Sequence, residues 1–266
     1  LIIVDGYSGS LFINPDKATL NFYKQKTERE RIKQEQLRQL QLSDSKTATG
    51  IKIKLLTNIG VLDELEIIKD LSCEGIGLFR TEFLYLGKQN LPSEEEQFTV
   101  YKELAEKMNP MPVTIRTFDL GGDKLAPLSS EKQEENPYLG NRGIRFSLSR
   151  PDIFSPQVRA ILRASVFGKV QIMFPMIMDA EDFRKAKKFV QTCQQELSVQ
   201  GIAFSQEIPL GAMIEIPSAA LCSEELAREC DFLSIGTNDL VQYTLAADRN
   251  NESVSSYYIQ HHPSVL

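Results

Sequence analysis

The chain has 266 residues, 42% of them apolar and 25% charged, with 30 Lys and Arg against 36 Asp and Glu for a formal net charge of −6. This composition supplies a core and excludes disorder as a description of the whole chain, and the acidic excess argues against a nucleic-acid partner while leaving small anionic ligands open. No apolar run approaches the roughly 18–20 residues of a bilayer span, and Leu1-Ile2-Ile3-Val4-Asp5 lacks the basic flank and cleavage site of a signal peptide, so a cytoplasmic protein with no membrane partner is expected. Cys73, Cys193, Cys222 and Cys230 form no C-x-x-C pair, which indicates neither a zinc site nor a disulfide framework and predicts four reduced, mostly buried thiols. The sequence opens without Met inside what reads as a strand, so a piece of something longer is expected.

Residues 1–13 read as two short strands around Gly6-Tyr7-Ser8-Gly9, a hairpin too small to be stable alone. Asn14-Pro15 then offers an N-cap and an N1 proline for a polar helix running to about Leu42. Ile32, Leu37 and Leu40 give it a thin apolar stripe, and acidic residues are interspersed with basic ones, the pattern of a solvated linker helix closed by a polar run at 43–47. After Gly50 short apolar runs at 51–56, 75–79, 113–117, 170–174, 210–214 and 232–235 alternate with stretches long enough for a helix each, the βα repeat of a parallel sheet. Ser93 with Glu96 forms a capping box before Phe98, Tyr101 and Leu104, and Asp179 caps the helix through Phe183 and Val190.

In a parallel α/β fold the residues just past the C-terminal end of each strand face the site. The first strand delivers Thr57-Asn58, the second Arg80-Thr81-Glu82, and the third Arg116-Thr117-Phe118-Asp119 followed by Gly121-Gly122-Asp123-Lys124. The fourth delivers only Pro175-Met176, the fifth Glu215 and the sixth Gly236-Thr237-Asn238-Asp239. Taken singly, these charges read equally well as closing salt bridges, Arg80 with Glu82 or Asp119 and Arg116 with Asp123. Taken together, several guanidiniums at one rim require an anion or carboxylates between them, and Arg grips a phosphate or a carboxylate through paired hydrogen bonds. Glu215 and Asp239 are oxygen donors of the kind Mg²⁺ accepts beside substrate oxygens, so an anionic, phosphorylated substrate and a divalent ion are expected.

At these residues the sequence resembles the phosphoenolpyruvate-utilising enzymes, and within them the Enzyme I group of the sugar phosphotransferase system, the phosphoenolpyruvate–protein phosphotransferases. The match is carried by Gly75-Ile76-Gly77-Leu78-Phe79-Arg80-Thr81-Glu82-Phe83-Leu84, by Leu91-Pro92-Ser93-Glu94-Glu95-Glu96-Gln97-Phe98 and by Ile115-Arg116-Thr117-Phe118-Asp119-Leu120-Gly121-Gly122-Asp123-Lys124. It continues in Asn136-Pro137-Tyr138-Leu139-Gly140-Asn141-Arg142, Arg159-Ala160-Ile161-Leu162-Arg163, Met173-Phe174-Pro175-Met176 and Ser234-Ile235-Gly236-Thr237-Asn238-Asp239-Leu240, so it covers essentially the whole chain. The resemblance implies a (β/α)8 TIM-type barrel that binds phosphoenolpyruvate at its C-terminal rim. It assigns the phosphoryl group to Arg80, Arg116 and Arg249, Mg²⁺ to Glu215 and Asp239, a further substrate contact to Asn238 with Asp239, and a place near the pocket to Arg142 and Lys124. It also implies a tail of a phosphohistidine domain over 1–14, a connecting helix over 15–49 and the barrel domain over 50–266. The expected partners are phosphoenolpyruvate and pyruvate, the histidine-containing phosphocarrier protein, and a second copy of the barrel domain in a homodimer.

Two departures qualify this. The family's Thr-Ser-His phosphohistidine motif and its Gly-Met-Cys-Gly-Glu-Leu-Ala proton-donor motif do not occur here, so no catalytic residue is expected in the chain; His261 and His262 match no active position, and Cys222 only mimics the cysteine motif. About six βα units are counted where a closed barrel has eight, so these residues alone are expected to bind ligands without turnover. Two other readings stay open: the related domain of a phosphoenolpyruvate synthase or pyruvate phosphate dikinase, and a non-catalytic binding or dimerisation module.

Overall fold

A computed structural model describes residues 1–41, 45–69, 73–85, 90–119 and 134–266. They separate into two compact units, one on Leu1–Lys54 and the other on Leu55–Lys69 and Cys73–Leu266. No described helix is long and apolar enough to cross a membrane.

In the smaller unit β1 (Ile2–Asp5) and β2 (Ser10–Ile13) pair antiparallel and are followed by α1 (Lys17–Gln41). Asp5 ties the hairpin to the helix: its Oδ2 accepts from Lys26 Nζ at 2.7 Å and from the Tyr23 hydroxyl at 3.2 Å. The Lys26 ammonium holds the Asp5 carboxyl well below the usual carboxylate range. The cap differs from expectation. Asp16 Oδ1 accepts from Thr19 N at 2.7 Å, while Asn14 takes a left-handed φ of 47°, so the chain turns at Asn14-Pro15 and the helix starts at Lys17. Ile32 and Leu37 are exposed, whereas Leu42 lies outside the described residues.

In the larger unit β3 (Thr57–Ile59), β4 (Ile76–Arg80), β5 (Pro112–Arg116), β6 (Lys169–Phe174), β7 (Leu210–Ile214) and β8 (Phe232–Ile235) form one parallel sheet in that spatial order. Every strand pairs with its sequence neighbour, which is the singly wound order of a TIM-type barrel and not the reversing order of a doubly wound sheet. The helices of the connections are α2 (Glu64–Lys69), α3 (Glu94–Met108), α4 (Ile144–Ser149), α5 (Pro151–Ala164), α6 (Ala180–Val199), α7 (Pro217–Leu221) and α8 (Ser223–Glu229), with α9 (Thr237–Leu245) after β8. Both predicted caps are present: Ser93 Oγ accepts from Glu96 N at 3.2 Å while Glu96 Oε2 accepts from Ser93 N at 2.8 Å, and Asp179 Oδ1 accepts from Asp182 N at 2.9 Å.

The first strand of the sheet is displaced from the run expected at 51–56. Ile51, Ile53, Leu55 and Leu56 are exposed despite their alternation, and pairing begins where Thr57 meets Ile76. Burial decides the matter, since Ile59 is the residue of this stretch that enters the core. Thr57 and Asn58 are therefore strand residues and not rim residues.

Tyr101 and Leu104 of α3, Val158 and Ile161 of α5 and Phe183 of α6 are fully buried, as are Phe79, Ile115, Ile172 and Phe174 of the strands. Burying each such side chain contributes about 1.5–3 kcal/mol. Cys193 is buried and the other three cysteines are half-buried, all four as free thiols, so the thiols are less buried than the sequence suggests.

A polar thread crosses this core. Gln157 Oε1 accepts from Phe118 N at 2.9 Å, and its Nε2 donates to Thr81 Oγ1 at 3.1 Å and reaches the Tyr101 hydroxyl at 3.4 Å. Thr81 Oγ1 donates in turn to the Arg116 carbonyl at 3.1 Å. The amide thereby fixes the segments that leave β4 and β5. Gln157→Leu strands the buried Phe118 N–H, while the Thr81 and Tyr101 hydroxyls keep the Arg116 carbonyl and Gln97 Oε1, and is expected to lower stability by about 1–3 kcal/mol in urea unfolding.

Candidate functional site

Parallel register sets which side chains meet. Arg80 and Arg116 close β4 and β5 at one level of the sheet, and Ile214 pairs with Ile235, so Glu215 and Gly236 leave β7 and β8 side by side. Past these ends charges alternate without interruption. Arg116 Nη2 donates to Glu82 Oε1 at 3.0 Å, and its Nη1 lies 2.9 Å from Asp119 Oδ2. Asp119 also takes Arg142 Nη2 on both oxygens at 3.1 Å, and Arg142 Nη1 reaches Asp239 Oδ1 at 3.1 Å. Asp239 Oδ2 meets Arg249 Nη1 at 3.4 Å. The row thus runs Glu82, Arg116, Asp119, Arg142, Asp239, Arg249, and all but Arg249 are buried or nearly so.

Burial disfavours the charge on Arg116 and Arg142, but the carboxylates outweigh it: Asp119 and Glu82 beside Arg116, and Asp119 and Asp239 beside Arg142, hold both firmly protonated. Glu215 behaves differently. Burial first, then repulsion from Asp119 and Asp239, push its carboxyl up to about 8 against the pull of Arg116. Its Oε1 accepts from the Met176 backbone N–H at 2.6 Å, and Met176 adopts a left-handed φ of 58°. Glu215 Oε2 is buried with no partner among the described residues.

Oxygens of Asp119, Glu215 and Asp239 lie within 4.8 Å of one another. Carboxylates alone suit a hard divalent cation, and an orphaned buried carboxylate oxygen is what such an ion would satisfy. Among the described residues here, Glu82, Asp119, Glu215 and Asp239 face Arg116, Arg142 and Arg249, which leaves carboxylates in excess. The donor set therefore fits a metal. Gly236 belongs to this design: a Cβ there would fall 2.7 Å from Glu215 Oε2 and from Glu215 Cβ.

Of the residues singled out from sequence, Arg116, Arg142, Glu215, Asp239 and Arg249 come together. Asn238 is exposed beside them and its carbonyl accepts from the Tyr258 hydroxyl at 3.0 Å. Arg80 is exposed with its guanidinium 5.8 Å from the Phe83 ring, outside the alternating row. Lys124 and Asp123 lie outside the described residues. Cys222 sits between α7 and α8, His261 is exposed, and His262 Nδ1 is 2.7 Å from Ser264 Oγ.

Sequence reasoning gave Asp119 and Glu82 only a salt-bridge role, with Arg80, and assigned none to Tyr138, Tyr243 or the Met176 amide. Asp119 and Glu82 stand in the rim stretches named above, so position flagged them; nothing in the sequence flags a backbone N–H. The salt bridges weighed as an alternative form with other partners: Glu82 and Asp119, considered for Arg80, both pair with Arg116, and Asp123, considered for Arg116, lies outside the described residues.

The family described as PEP-utilising enzyme, PEP-binding domain, matches residues 34–266. The chain belongs to this family. Proteins named phosphoenolpyruvate-protein phosphotransferase are 47% identical over all 266 residues in Staphylococcus epidermidis, and 46% identical over the same span in Staphylococcus aureus and in Geobacillus stearothermophilus. The chain spans 46% of the length of each. A citrate lyase of Burkholderia xenovorans LB400 superposes with a TM-score of 0.44 at 15% identity over 80% of this chain and 62% of its own, a likeness too slight to inform the site.

Gly236→Ala is expected to displace the Glu215 carboxylate and weaken divalent-cation binding by about 10–100-fold, read by Mn²⁺ titration with electron paramagnetic resonance. Binding equal to wild type would show that Glu215 is not a ligand.

Proposed function

We propose that this chain provides the phosphoenolpyruvate- and Mg²⁺-binding site of a phosphoenolpyruvate–protein phosphotransferase, the protein that starts sugar uptake. The observation that carries the reading is the alternating row of buried Arg and Asp ending on an acidic trio with one orphaned oxygen. The names of relatives 46–47% identical over the whole chain support it. The dikinase and scaffold readings gain no specific observation.

Most charges in the site are already paired and the carboxylates are in excess, so a cation and a trianionic substrate can enter together by re-pairing charges already present. Arg116, Arg142 and Arg249 would grip phosphoryl and carboxylate oxygens, with Arg80 at the exposed edge and Asn238 offering an amide to the substrate. Glu215 and Asp239 would hold Mg²⁺, which would supply positive charge to offset that of the substrate's oxygens. The reaction breaks the bond between phosphorus and the enol oxygen, forms one between phosphorus and an imidazole nitrogen, and leaves an enolate that gains a proton to become pyruvate. Such transfer needs positioning and charge stabilisation more than covalent help from these residues.

The acceptor histidine and the proton-donating cysteine of the family lie in motifs absent from these 266 residues. We assign 1–14 to the tail of a phosphohistidine domain, 15–49 to the connecting helix and 50–266 to the barrel domain; the separate packing of Leu1–Lys54 supports a break near residue 50, and it holds 1–14 and 15–41 in one unit. The histidine-containing phosphocarrier protein, a homodimer and a cytoplasmic setting complete the proposal.

Calorimetric titration with phosphoenolpyruvate should give binding that depends on Mg²⁺; its absence would overturn the reading. Arg249, partly exposed and joined, among the described residues, to the Asp239 carboxylate, gives the cleanest variant: Arg249→Ala is expected to weaken binding by about 10–100-fold, and Cys222→Ala to leave it unchanged. Pyruvate release by these residues with the phosphocarrier protein alone is expected to be nil in a lactate dehydrogenase-coupled assay.

A further inference from the structure

Tyr138 sits in a short 3-10 turn, Pro137–Leu139, and its half-buried ring lies 5.6 Å from the guanidinium carbon of Arg142 and 5.6 Å from that of Arg249. Two cations thus share one aromatic ring. Polar links reinforce both contacts. The Tyr138 carbonyl accepts from the Tyr243 hydroxyl, which in turn accepts from Arg142 Nη1 at 3.2 Å. The Tyr138 hydroxyl pairs with the side-chain amide of Asn250, the residue next to Arg249.

The charged partners of these arginines have a second task. Arg142 is held by Asp119 and Asp239, and Arg249 by Asp239, yet both carboxylates belong to the acidic trio that fits a cation. When a cation draws those oxygens to itself, the arginines lose part of their anchorage and two like charges are left side by side. A π face attracts guanidinium, carries no net charge and is no ligand for a hard cation. From this we infer that Tyr138 is a positioning residue that keeps Arg142 and Arg249 together, facing the phosphoryl anion, once the metal engages Asp239, the carboxylate they share. The inference rests on the proposed phosphoenolpyruvate site and adds to it a residue that does not touch the substrate.

The test compares wild type, Tyr138→Phe and Tyr138→Leu in calorimetric titration of phosphoenolpyruvate at saturating Mg²⁺, with Mn²⁺ binding alone and thermal unfolding measured on each. Tyr138→Leu is expected to bind phosphoenolpyruvate about tenfold more weakly, with cation binding unchanged, and Tyr138→Phe, which keeps the ring, to restore nearly all of the affinity. Equal affinity in Tyr138→Leu and wild type overturns the inference, as does a loss in Tyr138→Phe as large as that in Tyr138→Leu. Should Tyr138→Leu lower the unfolding temperature, Tyr138→Phe still decides, because a tenfold loss there removes the ring as the cause. Wild type that binds no phosphoenolpyruvate with Mg²⁺ present would instead overturn the proposed function, and this inference with it.

Discussion

The shared carboxylate is the interaction on which the larger unit's rim depends. Asp119 serves Arg116 and Arg142, and Asp239 serves Arg142 and Arg249, so no buried guanidinium in the row is left without an opposite charge. Desolvating a charge costs several kcal/mol, and removing one partner of a buried pair costs about 3–5 kcal/mol because the other is left uncompensated. A row of alternating charges spreads that penalty across the segments following β4, β5 and β8. Each is tied to the others through the shared carboxylates.

The sheet supplies the complementary constraint. Parallel register brings Glu215 beside Gly236 and Arg80 level with Arg116, and the Gln157 amide ties the segments after β4 and β5 to α5. The hydrophobic contacts of α3, α5 and α6 stabilise the strands, while the polar thread and the ion row determine what their ends present. Packing and function thus occupy successive levels of the same strands: apolar below, charged at the tips.

Much of this was legible in the sequence, for identifiable reasons. Five of six strands fell where the apolar runs lie, since fully buried parallel strands read as continuous hydrophobic stretches. The run at 51–56 misled because alternation reports one-sided character, whereas Ile51, Ile53 and Leu55 stay exposed and Ile59 enters the core. Arg116, Glu215 and Asp239 could be picked out because chemistry concentrates just past strand ends, and family motifs added Arg142 and Arg249. The same rule placed Arg80 at the rim but could not tell that its guanidinium lies over Phe83 and not among the carboxylates. Tyr138, in a 3-10 turn, and Tyr243, on α9, stayed hidden because an aromatic residue carries no sign of the cations it will meet.

Glu215 is held by an amide hydrogen of the main chain at Met176, not by any side chain there. Nineteen of the twenty amino acids carry that hydrogen, so the chemical identity of residue 176 is close to neutral for this contact, while its backbone conformation, with φ at 58°, is not. Drift at this position is filtered by shape: residues tolerant of the left-handed region pass, β-branched ones are disfavoured, and proline is excluded twice over, by its ring and by its missing hydrogen. The Met176 side chain is itself buried in the core, so this one position answers both to apolar packing and to the orientation of a buried carboxylate.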